Sequence, residues 1–142
     1  MSYPQLTHLA LHVVDIDACI DFYQYYCNME ISHERHTGHQ RIVWMAEPDR
    51  ENSFVFVLMD GGRDLNLPEN DYRHFGFAVS SKTDVDNIAS RARVRDDLVW
   101  PPRDEPYPVG YYCGLRDPNG NYVEFSYGQP LGPGVGNNWA PE

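Results

Sequence analysis

Lysine is nearly missing from this 142-residue chain: Lys82 stands alone beside ten arginines, and 21 acidic residues set the formal net charge at −10. So acidic a surface repels phosphate backbones and anionic headgroups, which argues against nucleic acid and membrane surfaces as partners. Cysteine is scarce as well. Cys19, Cys27 and Cys113 form an odd, dispersed set that suits a reducing cytoplasm and not a disulfide framework. No apolar stretch approaches the roughly 18 residues needed to span a bilayer. The run from Met1 to Asp15 has neither a basic start nor a small-residue cleavage site, so no secretory signal is expected and the expected location is cytoplasmic. What is present is ordinary for one globular domain with its own core: 42% hydrophobic and 23% charged residues. Aromatics reach 13%, with ten Tyr, enough to line a small-molecule cavity as well as a core.

The chain repeats itself. His8-Leu9-Ala10-Leu11-His12-Val13 and His74-Phe75-Gly76-Phe77-Ala78-Val79 both begin with His and then alternate large apolar residues with others. Strict alternation is the period of a strand. Each strand runs into a helix-start signal, Asp15 or Asp17 in the first copy and Ser80 or Ser81 in the second. Ile16, Cys19, Ile20, Tyr23 and Cys27 form an apolar helical stripe, and Val85, Ile88, Ala89 and Ala92 form its counterpart. Strands follow each helix. In the first copy, Met29 to His36 and Gln40 to Ala46 read as a hairpin and Ser53 to Met59 as a third strand. In the second, Val109 to Leu115 and Asn121 to Tyr127 flank the turn Asp117-Pro118-Asn119-Gly120. Asp97 to Val99 reads as a short or irregular strand at best.

The expectation is therefore an α+β fold of two βαβββ modules packed as one domain. Module one covers about residues 4–60, a Gly-, Asp- and Asn-rich linker 61–72, module two 73–128, and an extended Gly/Pro-rich tail 129–142. The Gly132-Pro-Gly-Val-Gly136 run in the tail is no nucleotide fingerprint, because no strand and helix flank it.

Alternation also sorts the faces. Leu9, Leu11 and Val13 oppose His8, Ala10 and His12, and Phe75, Phe77 and Val79 oppose His74, Gly76 and Ala78. In the last strand Val123, Phe125 and Tyr127 take the core side and Tyr122, Glu124 and Ser126 the other. Each strand thus offers one metal-type ligand on a face otherwise lined mostly by small residues. Two His and one carboxylate make a facial triad with open coordination positions. A lone strand His is usually just solvated, but His8 and His74 occupy the same repeat position, which solvation does not explain. His12 lies four residues from His8, roughly 13 Å away at about 3.3 Å per residue, so both cannot bind one ion. His12 is instead a candidate catalytic base beside the site. His33, His36 and His39 cross a hairpin turn and read as solvated.

These pieces resemble the vicinal oxygen chelate superfamily, which includes glyoxalase I, methylmalonyl-CoA epimerase, fosfomycin-resistance thiol transferases, bleomycin-resistance binding proteins and extradiol dioxygenases. The similarity rests on His8-Leu-Ala-Leu, Asp15 to Tyr23, His74-Phe-Gly-Phe-Ala-Val and Asp117-Pro-Asn-Gly-Asn-Tyr-Val-Glu124-Phe, in order across residues 6–127. The resemblance implies an open, cup-shaped mixed β-barrel with helices outside, around one divalent metal held by His8, His74 and Glu124. Glyoxalase I and the epimerase usually take a fourth ligand from the last strand of module one, which here is the apolar run Phe54 to Met59. The fosfomycin enzymes usually place Thr where Ala10 stands. The dioxygenases usually place Tyr where Gly114 stands, and Tyr112 lies two residues earlier on the same face. The bleomycin binders lack the metal ligands.

The leading expectation is a metal-dependent enzyme resembling a small dioxygenase, acting on a small molecule by bidentate chelation to Fe, Mn, Ni, Co or Zn. The alternatives are a glyoxalase-type lyase or isomerase and a non-catalytic drug-binding protein. A homodimer is expected. Between the second helix and the strand before the Asp-Pro turn, the segment from Arg95 to Gly110 carries four prolines and reads as a semi-rigid loop. Its Trp100 and Arg103, with Tyr112, are the candidate substrate-binding residues: aromatic surface, and a charge for an anionic substrate.

Overall fold

The computed structural model describes residues 2–132, and the greater part of the tail lies outside the described residues. The chain separates into two compact units with the boundary between Asn66 and Leu67, inside the expected linker.

The first unit holds β1 (His8–His12), α1 (Ile16–Cys27), β2 (Glu30–Thr37), β3 (Gln40–Ala46) and β4 (Val55–Met59). Its sheet runs β1-β4-β3-β2, with β1 parallel to β4 and the other pairs antiparallel. Asp15 caps α1 by accepting from the Ala18 N–H at 3.0 Å, and Asn28 ends it in the left-handed conformation that Asn tolerates. Ile16, Cys19, Ile20 and Tyr23 are buried as expected, together with Phe22 and Tyr26, while Cys27 is only half-buried. Tyr23 meets Phe56 of β4 edge-on at 5.2 Å, so the helix covers the face that also carries Leu11, Val13 and Leu58.

The second unit repeats this plan with β5 (Phe75–Ala78), α2 (Lys82–Val94), β6 (Leu98–Glu105), β7 (Gly110–Arg116) and β8 (Tyr122–Tyr127), in the order β5-β8-β7-β6. Ser81 caps α2 through the Asp84 N–H. Val85, Ile88, Ala89 and Ala92 are all buried, and Phe77 stacks on Phe125 with centroids 5.6 Å apart. The turn before β8 is fastened by Asp117, which is 2% exposed and accepts from the Asn119 and Asn121 N–H groups at 2.9 Å each. The two βαβββ modules of an α+β fold are thus present, in matching order. Among the described residues no disulfide forms, and no helix is long and apolar enough to cross a membrane.

Two expectations need correction. The segment from Arg95 to Gly110 is not a loop: residues 98–105 form β6, straight through Pro101 and Pro102. β6 is an edge strand of its sheet, and its pairing with β7 shifts register between Leu98 and Trp100 and again between Trp100 and Arg103. Proline is tolerated at edges and bulges, where a missing N–H leaves no ladder bond unmade. Tyr127 is the second correction. Alternation puts it on the core side, yet as the last residue of β8 it is 40% exposed.

Candidate metal and substrate site

Ladder register fixes what surrounds each candidate ligand. In the second unit Gly76 of β5 pairs with Glu124 of β8, Glu124 with Gly114 of β7, and Gly114 with Trp100 of β6. These positions line one side of the sheet, opposite α2. His74, Glu124, Trp100, Arg103 and Tyr112 surround a cavity of about 450 Å³ there.

His74 is held at both ring nitrogens. Nδ1 lies 2.6 Å from the Tyr72 carbonyl oxygen, which can only accept, so Nδ1 carries the proton. Nε2 faces Glu124 Oε2 across 3.8 Å, a gap that a proton on Nε2 or a bound cation would bridge. Glu124 is only 9% exposed, and burial raises its pKa, with His74 and the Gln129 hydrogen bond pulling the other way. The one Gln129 hydrogen bond, 3.4 Å from Nε2 to Glu124 Oε2, only partly replaces the lost water. One ion could touch both atoms if the 3.8 Å gap closed slightly, since ligands about 2.1 Å from a shared ion stand about 3.0–3.4 Å apart.

Trp100 packs its ring on Gly114, where any β-carbon would collide with the indole. The ring also meets His74 edge-on at 5.7 Å and Tyr122 at 5.2 Å. Space that a Tyr side chain at position 114 would need is therefore filled from β6. Burial raises the pKa of Tyr112, partly offset by Arg103. Arg103 itself pairs with Glu105 at 2.9 Å and remains largely exposed.

In the first unit His8, Ala10, Trp44, Val55, Val57 and Met59 border an apolar cavity of about 500 Å³. His8 Nδ1 lies 2.9 Å from Thr7 Oγ1, so, as in His74, Nδ1 is the nitrogen engaged locally. Ala10 pairs with Val57, the counterpart of the Gly76–Glu124 pair. Val57 therefore stands where a carboxylate ligand would sit in the first module, and no fourth ligand comes from β4. Ala10 and Gly76 are both exposed on the ligand side. His12 places Nε2 3.1 Å from the Asp60 carbonyl and is not among the residues bordering this cavity.

The structure thus brings His74 and Glu124 together and places His8 and His12 in the other unit. Among the described residues no group of three or more His, Cys, Asp or Glu is assembled around a single point. Gln129 was missed from sequence, since it follows the last strand and belongs to no periodic pattern.

A family model for the Glyoxalase/Bleomycin resistance protein/Dioxygenase superfamily matches residues 5–125. The chain belongs to this superfamily. An uncharacterized protein of Pseudomonas aeruginosa is 65% identical over 131 residues, which cover 92% of this chain and 94% of that one. Among solved superfamily folds, Leishmania major glyoxalase I is similar with a TM-score of 0.66 and 22% identity, over 88% of this chain and 87% of that one. The fosfomycin resistance protein FosX of Listeria monocytogenes, in a mutant complexed with Mn(II) and 1S,2S-dihydroxypropylphosphonic acid, is similar with a TM-score of 0.70 and 19% identity. That match covers 88% of this chain and 90% of FosX.

Proposed function

We propose that this superfamily member is a metal-dependent enzyme that binds a small molecule through two neighbouring oxygens, and that its chemistry is most like that of a small dioxygenase. The observation that carries the proposal is Nε2 of His74 facing the shielded Glu124 carboxylate across 3.8 Å. His74 and Glu124, completed by His8, would hold one divalent ion. Two imidazole nitrogens and one carboxylate suit Fe, Mn, Ni, Co or Zn, and the Mn(II) in FosX supports a divalent ion in this fold. When bound, the ion supplies Lewis acidity to the substrate oxygens and stabilises negative charge that develops on them.

The remaining work falls to the chain. The Tyr72 carbonyl and the Thr7 hydroxyl hold the two rings at Nδ1, which would leave each Nε2 for the ion. Trp100 and Tyr112 wall the cavity and exclude water, and Arg103 meets an anionic substituent of the substrate. His12 serves as the base. Its Nε2 lies 3.1 Å from the Asp60 carbonyl oxygen, which orients the ring. We include a homodimer and a cytoplasmic location in the same proposal.

Val57 at the counterpart of Glu124 weighs against a four-ligand, glyoxalase-type lyase or isomerase. The test is to strip the protein with chelator and reload it anaerobically with Fe(II) or Ni(II). Oxygen uptake with a panel of catechols is the expected result for the Fe(II) form. Turnover of hemithioacetals by the Ni(II) form would replace the dioxygenase with a lyase. Binding of such ligands without either turnover would make the protein a sequestering module.

A further inference from the structure

We infer that Gln129, outside all eight strands, is a positioning residue for the Glu124 carboxylate, and that the segment 128–132 belongs to the metal site. This inference rests on the metal proposal above.

The chain does not leave the sheet when β8 ends at Tyr127. Gly128 adopts φ +93°, a left-handed conformation that favours glycine, and lies against Gly110 at the start of β7. The reversal carries Gln129 back over β8, where its side-chain amide donates to Glu124 Oε2 at 3.4 Å and borders the same cavity as His74 and Trp100. Three residues on, Gly132 passes so near β5 that a β-carbon added there would meet that of Ala78 at 2.7 Å. The segment thus crosses the ligand-bearing side of the sheet from β8 to β5. Ser126, the next residue along β8 on that side, is only 2% exposed.

A carboxylate ligand has two oxygens and a rotatable side chain. Without a donor on one oxygen it swings between binding modes, and the ordering cost falls on metal affinity. Gln129 donates to the carboxylate from beyond the end of β8, and on β5 Gly76 presents no side chain to it: a β-carbon there would lie 3.1 Å from Oε2. Gly76 and Gln129 therefore act on the same oxygen, one by leaving room and the other by donating a hydrogen bond.

The test uses the full chain and Mn(II) alone as the probe, with dissociation constants from titration calorimetry and the Mn(II) EPR line shape as a second readout. Gln129→Met keeps the side chain's length and removes the donor, Gln129→Ala removes both, and His74→Ala is the reference. We expect Mn(II) affinity to fall about tenfold in both Gln129 variants, with a broadened EPR signal and the metal-free melting temperature unchanged. Affinity restored to wild type by Met would show that only packing matters and would overturn the inference. So would wild-type affinity in both Gln129 variants while His74→Ala loses Mn(II). If His74→Ala itself binds Mn(II) as well as wild type, the metal proposal has failed, and the inference with it.

Discussion

Gly76→Ala is the smallest change that reaches the proposed metal ligand. Gly76 is not among the glycines with positive φ, so alanine meets no backbone strain there. The new β-carbon would stand 3.1 Å from Glu124 Oε2, where ordinary contact begins at 3.4 Å, so the carboxylate must give by about 0.3 Å. Metal sites tolerate ligand distances within about 0.2 Å. A shift just beyond that tolerance should weaken Mn(II) binding roughly tenfold, or about 1.4 kcal/mol. Folding should move the other way, because replacing glycine by alanine inside a strand recovers roughly 0.5–1 kcal/mol of backbone entropy. Calorimetric titration of Mn(II), paired with urea unfolding of the metal-free protein, reads the two effects separately. Affinity within twofold of wild type would refute the placement of the ion at Glu124. Clear destabilisation of the metal-free form would refute the open surroundings of Gly76.

Three further outcomes are expected. Because burial raises the Glu124 pKa from its ordinary 4.5, folding takes up a proton. The metal-free protein therefore keeps full stability below pH 4.5 and loses some as pH rises through the folded pKa. Metal-free Glu124→Gln, which escapes that loss, should be more stable than wild type at pH 7 and equal to it near pH 4, and pH-dependent thermal melts will show whether the two curves converge. Gly114→Ala should displace the Trp100 ring, cost about 1–3 kcal/mol, and change the near-ultraviolet circular dichroism; a variant that melts and absorbs like wild type would contradict the packing of Trp100 on β7. Asp15→Ala, which removes the α1 cap, should cost about 1 kcal/mol in urea unfolding and leave Mn(II) binding intact.

Both helices and seven of the eight strands were legible because their signals are local. Alternation marks β1 and β5, a polar oxygen before the stripe marks Asp15 and Ser81 as caps, and the Asp-Pro-Asn-Gly run marks the turn before β8. β6 was not legible. Pro101 and Pro102 argue against any strand, and only the edge position with its register shifts makes them acceptable. The face of each candidate ligand followed from period two, and His8, His74, Ala10 and Gly76 lie on the expected side. Period two cannot say where burial stops along a strand, which is why Tyr127 reads as core although it ends β8 exposed. Three features of the site depend on register or chain reversal and leave no mark in the sequence. They are Val57 opposite Ala10, Trp100 on Gly114, and Gln129 beside Glu124.

The proposed function rests on His8, His74 and Glu124 sharing one divalent ion. Pulsed EPR of the Mn(II)-loaded protein counts coordinated imidazole nitrogens directly. The account predicts one Mn(II) per chain with two imidazole couplings, one of which disappears in His8→Ala and the other in His74→Ala. A single coupling that survives His8→Ala, or Mn(II) binding that survives loss of Glu124, would contradict it.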